Sequence, residues 1–379
     1  MRYQAAYERM YEIIAGGRER YAAAEAQQVA VWRGEPLREF PVLLHYKLHD
    51  DGSNLRFSTK ETHFDKDKML IAGMGEALSA ACGGMQAVPS VRANMGCGIV
   101  PSLFPGIVPL LFDDKMPWVK THLSKDSIKK LSEKDIRITD EFKMALEHMA
   151  YMTDKLYGSG AYVFPVDIQG AVDTAHLVYG DDFFYDLYDD PDFIDRLLDL
   201  SCIAIELGWR ECKKTISPSD VFAHYNALVM PREMGGAKIS EDTTTLLSEE
   251  HIYKYAVPCI KRIGKYIGGC YIHFCGKRDM LLDTVLDLDD VYGVNLGNPE
   301  KYDMEATLNK VASHGKVYYG SCQKEENENW FEYLTRLRNA SIDDVGKIHL
   351  LLQAEARSIE EMDEIREAQK VISSIDRII

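Results

Sequence analysis

The sequence predicts an α/β fold, eight parallel strands closed into a (β/α)8 TIM barrel with an N-terminal helical extension. Three observations point there. Short apolar runs recur eight times along 379 residues, helix-like patterns separate them, and the runs turn polar at their C-terminal ends, where a barrel of this kind places its chemistry.

Residues 1–36 read as two helices rich in Ala, Glu and Arg that end before Pro36, an extension without chemistry of its own, and residues 37–379 read as one barrel domain. The strand candidates are 41–46, 85–93, 162–168, 221–227, 269–274, 291–296, 316–320 and 348–352. Among the helices between them, 191–212 opens with Asp190 as N-cap and Pro191 at the first helical position. Another, 248–266, opens on Ser-x-Glu and carries apolar Ile252, Tyr255, Ala256 and Cys259. A doubly wound open sheet is the competing architecture, and the lack of Gly-x-Gly-x-x-Gly after an early strand weakens its dinucleotide-binding form.

Residues 95–112 have about the length of a membrane span. Pro101, Pro105, Pro109 and three glycines would leave a lipid-exposed helix with broken hydrogen bonds. The expectation is an irregular loop, either a partner-docking surface or a structural lid, with Cys97 an ordinary buried thiol. A net charge of -16 without a basic cluster argues against nucleic acid. Eight cysteines at irregular spacing, with no Cys-x-x-Cys, suit a reducing cytoplasm. The first residues lead into a charged helical pattern with no apolar signal core, so neither export nor membrane anchoring is expected.

The chemistry concentrates in 269–276, Gly-Cys-Tyr-Ile-His-Phe-Cys-Gly. On a strand His273 and Cys275 share one face, about 6.6 Å apart along the chain, while Ile272 and Phe274 face the helices. An imidazole and a thiolate side by side make half of a zinc site; a satisfied core histidine beside an inert cysteine is the plainer reading. The other strand ends carry Lys47 and His49, Arg92 and Asn94, Asp167 and Gln169, His224 and Asn226, Asn295 and Asn298, Cys322, and Gln353 with Glu355.

Two stretches go beyond pattern. Asp167-Ile168-Gln169-Gly170-Ala171-Val172-Asp173, running on to Tyr185-Asp186-Leu187-Tyr188-Asp189-Asp190-Pro191, resembles the uroporphyrinogen decarboxylase superfamily. Gly235-Gly236-Ala237-Lys238-Ile239-Ser240-Glu241-Asp242, running on to His273-Phe274-Cys275-Gly276, resembles the branch of cobamide-dependent methyltransferases that pass a methyl group to a thiol such as coenzyme M. The resemblance spans roughly residues 37–360. The decarboxylases proper carry an Arg-Gln-Ala-Gly-Arg run near the first strand, where this chain reads Leu43-Leu44-His45-Tyr46-Lys47, so a many-carboxylate macrocycle lacks its cations.

The methyltransferase resemblance implies zinc held by His273, Cys275 and a further cysteine on the eighth strand. That cysteine is absent here, and Cys322 or Glu355 stands as the third ligand. It implies a corrinoid protein as partner, methylcobamide as methyl carrier and a small-molecule methyl acceptor. Gln169, Asn226, Asn298 and Gln353 would orient the acceptor, and Glu241 and Asp242 would shape the pocket or support the metal's ligands. Two other functions stand beside it: a metal-free decarboxylase-like lyase with Asp167 or His224 as catalytic proton donor, and a non-catalytic small-molecule-binding barrel.

Overall fold

The computed structural model describes residues 3–47, 55–216 and 219–375; His49 lies outside them. Thirteen strands follow in order among these residues: β1 Val42–Tyr46, β2 Gly84–Met85, β3 Ser90–Arg92, β4 Pro109–Leu110, β5 Trp118–Val119, β6 Tyr162–Phe164, β7 Val221–Ala223, β8 Val229–Pro231, β9 Ala237–Ser240, β10 Cys270–Phe274, β11 Val291–Leu296, β12 Val317–Gly320 and β13 Leu350–Ala356. Seven form one sheet in the order β2-β1-β13-β12-β11-β10-β9, parallel throughout except at β2. A bridge from Gln169 to Ser240 joins the β9 edge to the parallel pair β3 and β6. No ladder among the described residues connects β3 to β1.

The order of elements follows the expected alternation, with two corrections. The run 85–93 splits into β2, antiparallel to β1, and β3, paired with β6. The run 221–227 does not enter the large sheet. Its backbone turns left-handed at Asn226 and Ala227, φ +55° and +63°, which sends the chain back on itself, so β7 pairs antiparallel with β8. The strand beside β10 is β9, launched by Gly235 and Gly236 at φ +81° and +75°. A Cβ on Gly235 would lie 2.0 Å from the Gly269 carbonyl oxygen, so only glycine lets the two chains approach there.

Helix Pro191–Thr215 begins as expected, with the Asp190 side chain accepting from Phe193 N. The stretch 249–267 is helical with a widened turn at Ile252–Ala256 just before Pro258, whose missing N–H cannot continue the regular ladder. The N-terminal helices α1 Gln4–Ala15 and α2 Arg18–Arg33 pack into the core. Trp32 Nε1 donates to Val229 O at 2.8 Å, and fully buried Gln28 bonds Gln86 O, Ala227 O and Val229 N.

Residues 95–112 form no long helix. Met95, Ile99, Val100, Leu103 and Phe104 are buried in the body, and β4 pairs antiparallel with β5, leaving Val108, Met116 and Trp118 exposed. No helix among the described residues is long and apolar enough to cross a membrane.

Candidate metal centre and its cavity

Parallel pairing of β9 with β10 sets Ser240 beside His273. Just beyond the strand, Glu241 N donates to His273 O at 2.7 Å, which carries Asp242 over the end of β10. There Asp242 Oδ1 accepts from Cys275 N at 2.6 Å and lies 3.8 Å from His273 Nε2, while Cys275 Sγ lies 3.6 Å from the same nitrogen. One donor atom from each of Asp242, His273 and Cys275 falls within 4.8 Å of the others. A tetrahedral ion with bonds of about 2.0–2.3 Å spaces its donors about 3.5 Å apart, so the set fits zinc.

The residues around the cluster hold it in that pose. His273 Nδ1 bonds Asn295 Oδ1 at 2.5 Å, and Asn295 Nδ2 donates to Tyr319 O at 2.5 Å, which fixes the ring with Nε2 toward the cavity. Buried Asp173 accepts from Asp242 N and Thr243 N at 2.9 and 2.6 Å, clamping the loop that bears the carboxylate. A Cβ on Gly297 would stand 2.5 Å from Cys275 Sγ, so glycine there keeps the space open.

Burial and the nearby Lys238 ammonium lower the His273 pKa, which keeps the imidazole neutral and able to ligate. Partial burial and the Asp242 carboxylate push the Cys275 thiol up to about 11. Burial and the Asp242 carboxylate raise Asp173, and burial with Asp173 raises Glu241, whose Oε1 has no hydrogen-bond partner. Asp167 behaves oppositely. Burial would raise it, but Lys238 at 2.6 Å and Arg92 at 3.8 Å outweigh that and hold its carboxyl at about 2.

The cluster lines a cavity of about 570 Å³. Of the residues singled out in the sequence, Asp167, Gln169, Asn226, Gln353, His273 and Cys275 line it together, and Asn226 Nδ2 donates to Gln353 Oε1 at 3.0 Å. Cys97 lines it too, so that thiol faces the site. His224 sits behind the cavity wall, buried edge-on to Tyr271 with Nε2 unpartnered, and burial and Lys238 hold it to about 3. Asn298 ties the loop after β10, accepting from Gly276 N at 2.8 Å.

Cys322 and Glu355 are not brought to the cluster. Cys322 is buried away from the cavity at the end of β12, and Glu355 is exposed on β13 toward a separate pocket with His45 and Glu76. The side chain that stands with His273 and Cys275 is Asp242. In the sequence Asp242 stands only as a residue that shapes the pocket or supports the metal's ligands; the pairing of β9 with β10 brings it to the cluster.

No protein-family model matches the chain, and no curated protein matches it in sequence. Among solved structures, the fold is similar to that of a methyltransferase from Methanosarcina mazei, with a TM-score of 0.63 at 12% identity over 93% of this chain and 99% of that one.

Proposed function

We propose that the chain is a zinc-dependent methyltransferase that moves a methyl group between a corrinoid carried by a partner protein and a thiol or similar small acceptor. The donor cluster of Asp242, His273 and Cys275 inside a ligand-sized cavity carries this reading, and the likeness in fold to a methyltransferase supports it. The same reading takes β1, β3, β6 and β9 to β13 as one closed barrel over residues 37–379, with residues 1–36 as its helical extension.

Zinc, when bound, supplies a Lewis acid that lowers the pKa of a thiol acceptor. The protein's residues do the rest. Asn295 keeps His273 in one tautomer, and Asp173 holds Asp242 in reach. Asn226, Gln353 and Gln169 offer amide groups to the acceptor, and Tyr271 and Tyr319 form an apolar wall that keeps water out. Exposed Met116 and Trp118 on the cavity wall give a corrinoid partner apolar surface.

Of the two proton donors a metal-free lyase would use, Asp167 is paired with Lys238 and Arg92, which favour its ionised form, and His224 opens on a small neighbouring pocket and not on the donor cluster.

Metal analysis of protein purified without chelator tests the reading. About one zinc per chain is expected, lost in His273→Ala and Cys275→Ser; no zinc would overturn it. Methylcobalamin with a panel of thiols, followed through the cobalt spectrum, tests the reaction, and no demethylation with any acceptor would equally overturn it.

A further inference from the structure

The floor of the cavity gathers two cations around one carboxylate. Arg92 at the end of β3 and Lys238 in β9 approach the same oxygen, Asp167 Oδ1, at 3.8 and 2.6 Å, and Gln169 Nε2 donates to Oδ2 at 3.2 Å. Two cations thus share one carboxylate.

The Arg92 side chain is only 12% exposed, and its guanidinium lies against the rings of Tyr225 and Phe164. Among the described residues Asp167 is its one carboxylate partner within ion-pair distance, and Glu76 lies near enough to feel its charge. A guanidinium presents five N–H donors in a planar fork, and those that face the cavity can take both oxygens of a ligand carboxylate. Arg92, Lys238, Asp167 and Gln169 all line the cavity.

The other carboxylates there are committed elsewhere. Asp173 is filled by two backbone N–H groups, and Asp242 belongs to the donor cluster. Lys238 leaves β9 two residues before Ser240, the partner of His273, about 7 Å earlier along the strand.

We propose that the substrate of this cavity is an organic carboxylate, its carboxylate held at the floor by Arg92 and Lys238 and its reacting heteroatom turned toward Asp242, His273 and Cys275. The floor suits a monoanion, because among the described residues no third Lys or Arg lines the cavity to meet a second charge. Tyr225, Tyr271 and Tyr319 on the wall favour a flat or apolar body. The orientation of the substrate rests on the proposed metal centre; the charged floor does not.

Calorimetric titration with benzoate, benzamide and benzenesulfonate tests this, with zinc content measured on the same samples. Benzoate is expected to bind and its uncharged amide to bind far more weakly. Arg92→Leu should weaken benzoate roughly 10- to 100-fold, and Arg92→Lys should recover part of the loss. Lys238→Met gives an independent arm if Arg92→Leu does not fold, which a melting curve reports. Benzoate binding no tighter than benzamide, or unchanged in folded Arg92→Leu, overturns the proposal, and a preference for benzenesulfonate overturns the carboxylate assignment. Zinc absent while benzoate binding still depends on Arg92 would sink the metal centre and leave the charged floor standing.

Discussion

At the scale of single residues, the site divides into what strand alternation reveals and what only pairing reveals. His273 and Cys275 are legible in the sequence because two side chains two apart on one strand must share a face. Asp242 is not, because it meets them only through the pairing of β9 with β10 across some thirty intervening residues. This separates two ligand sets by experiment: Asp242→Ala should lose zinc, whereas Cys322→Ser should keep it, read by metal analysis of the purified variants. Asn295→Leu should keep all three donors yet weaken zinc binding roughly 10- to 100-fold, because the His273 ring loses its orienting bond. His224, with His148, contributes to acid sensitivity instead. The folded pKa of His224, about 3, lies below the ordinary value near 6.5, so the unfolded chain binds the extra proton. Stability present above about pH 6.5 is therefore lost as the pH falls through 3, by on the order of 5 kcal/mol at most. A denaturant series against pH should show that acid limb, and His224→Gln should flatten it.

At the scale of elements, long patterns were readable and short ones were not. The helix Pro191–Thr215 announces itself through Asp190, Pro191 and its amphipathic period. Strand β9 has only four residues behind two glycines, and the apolar run from Val221 looks the better strand until Asn226 and Ala227 turn it back. The N-terminal helices show the same limit. They read as an appendage, yet Trp32 is buried, donates to Val229 O and stacks near Tyr271, and a Cβ on Gly293 would come within 3.0 Å of its ring. Trp32→Ala should therefore cost about 3–5 kcal/mol in a denaturant titration. Loss of less than about 1 kcal/mol would mark α2 as a detachable extension.

For the whole molecule, the alternation of strands and helices made an α/β fold legible, while continuity of the sheet was beyond the sequence, since pairing partners lie far apart along the chain. The same geometry limits what a metal can do for stability. All three donors come from adjacent elements, the loop after β9 and the end of β10, so the ion ties together neighbours that are already hydrogen-bonded. It then stabilises the folded state by mass action and not by joining distant parts. Zinc at a hundred times its Kd should add about 2.7 kcal/mol. Spread over the unfolding entropy of a 379-residue chain, that is a rise in Tm of about 3 °C. Differential scanning calorimetry with and without chelator measures it. A shift of that size that vanishes in His273→Ala fits a local clamp, whereas collapse of the fold on chelation would mean that the metal holds together far more of the molecule than β9 and β10.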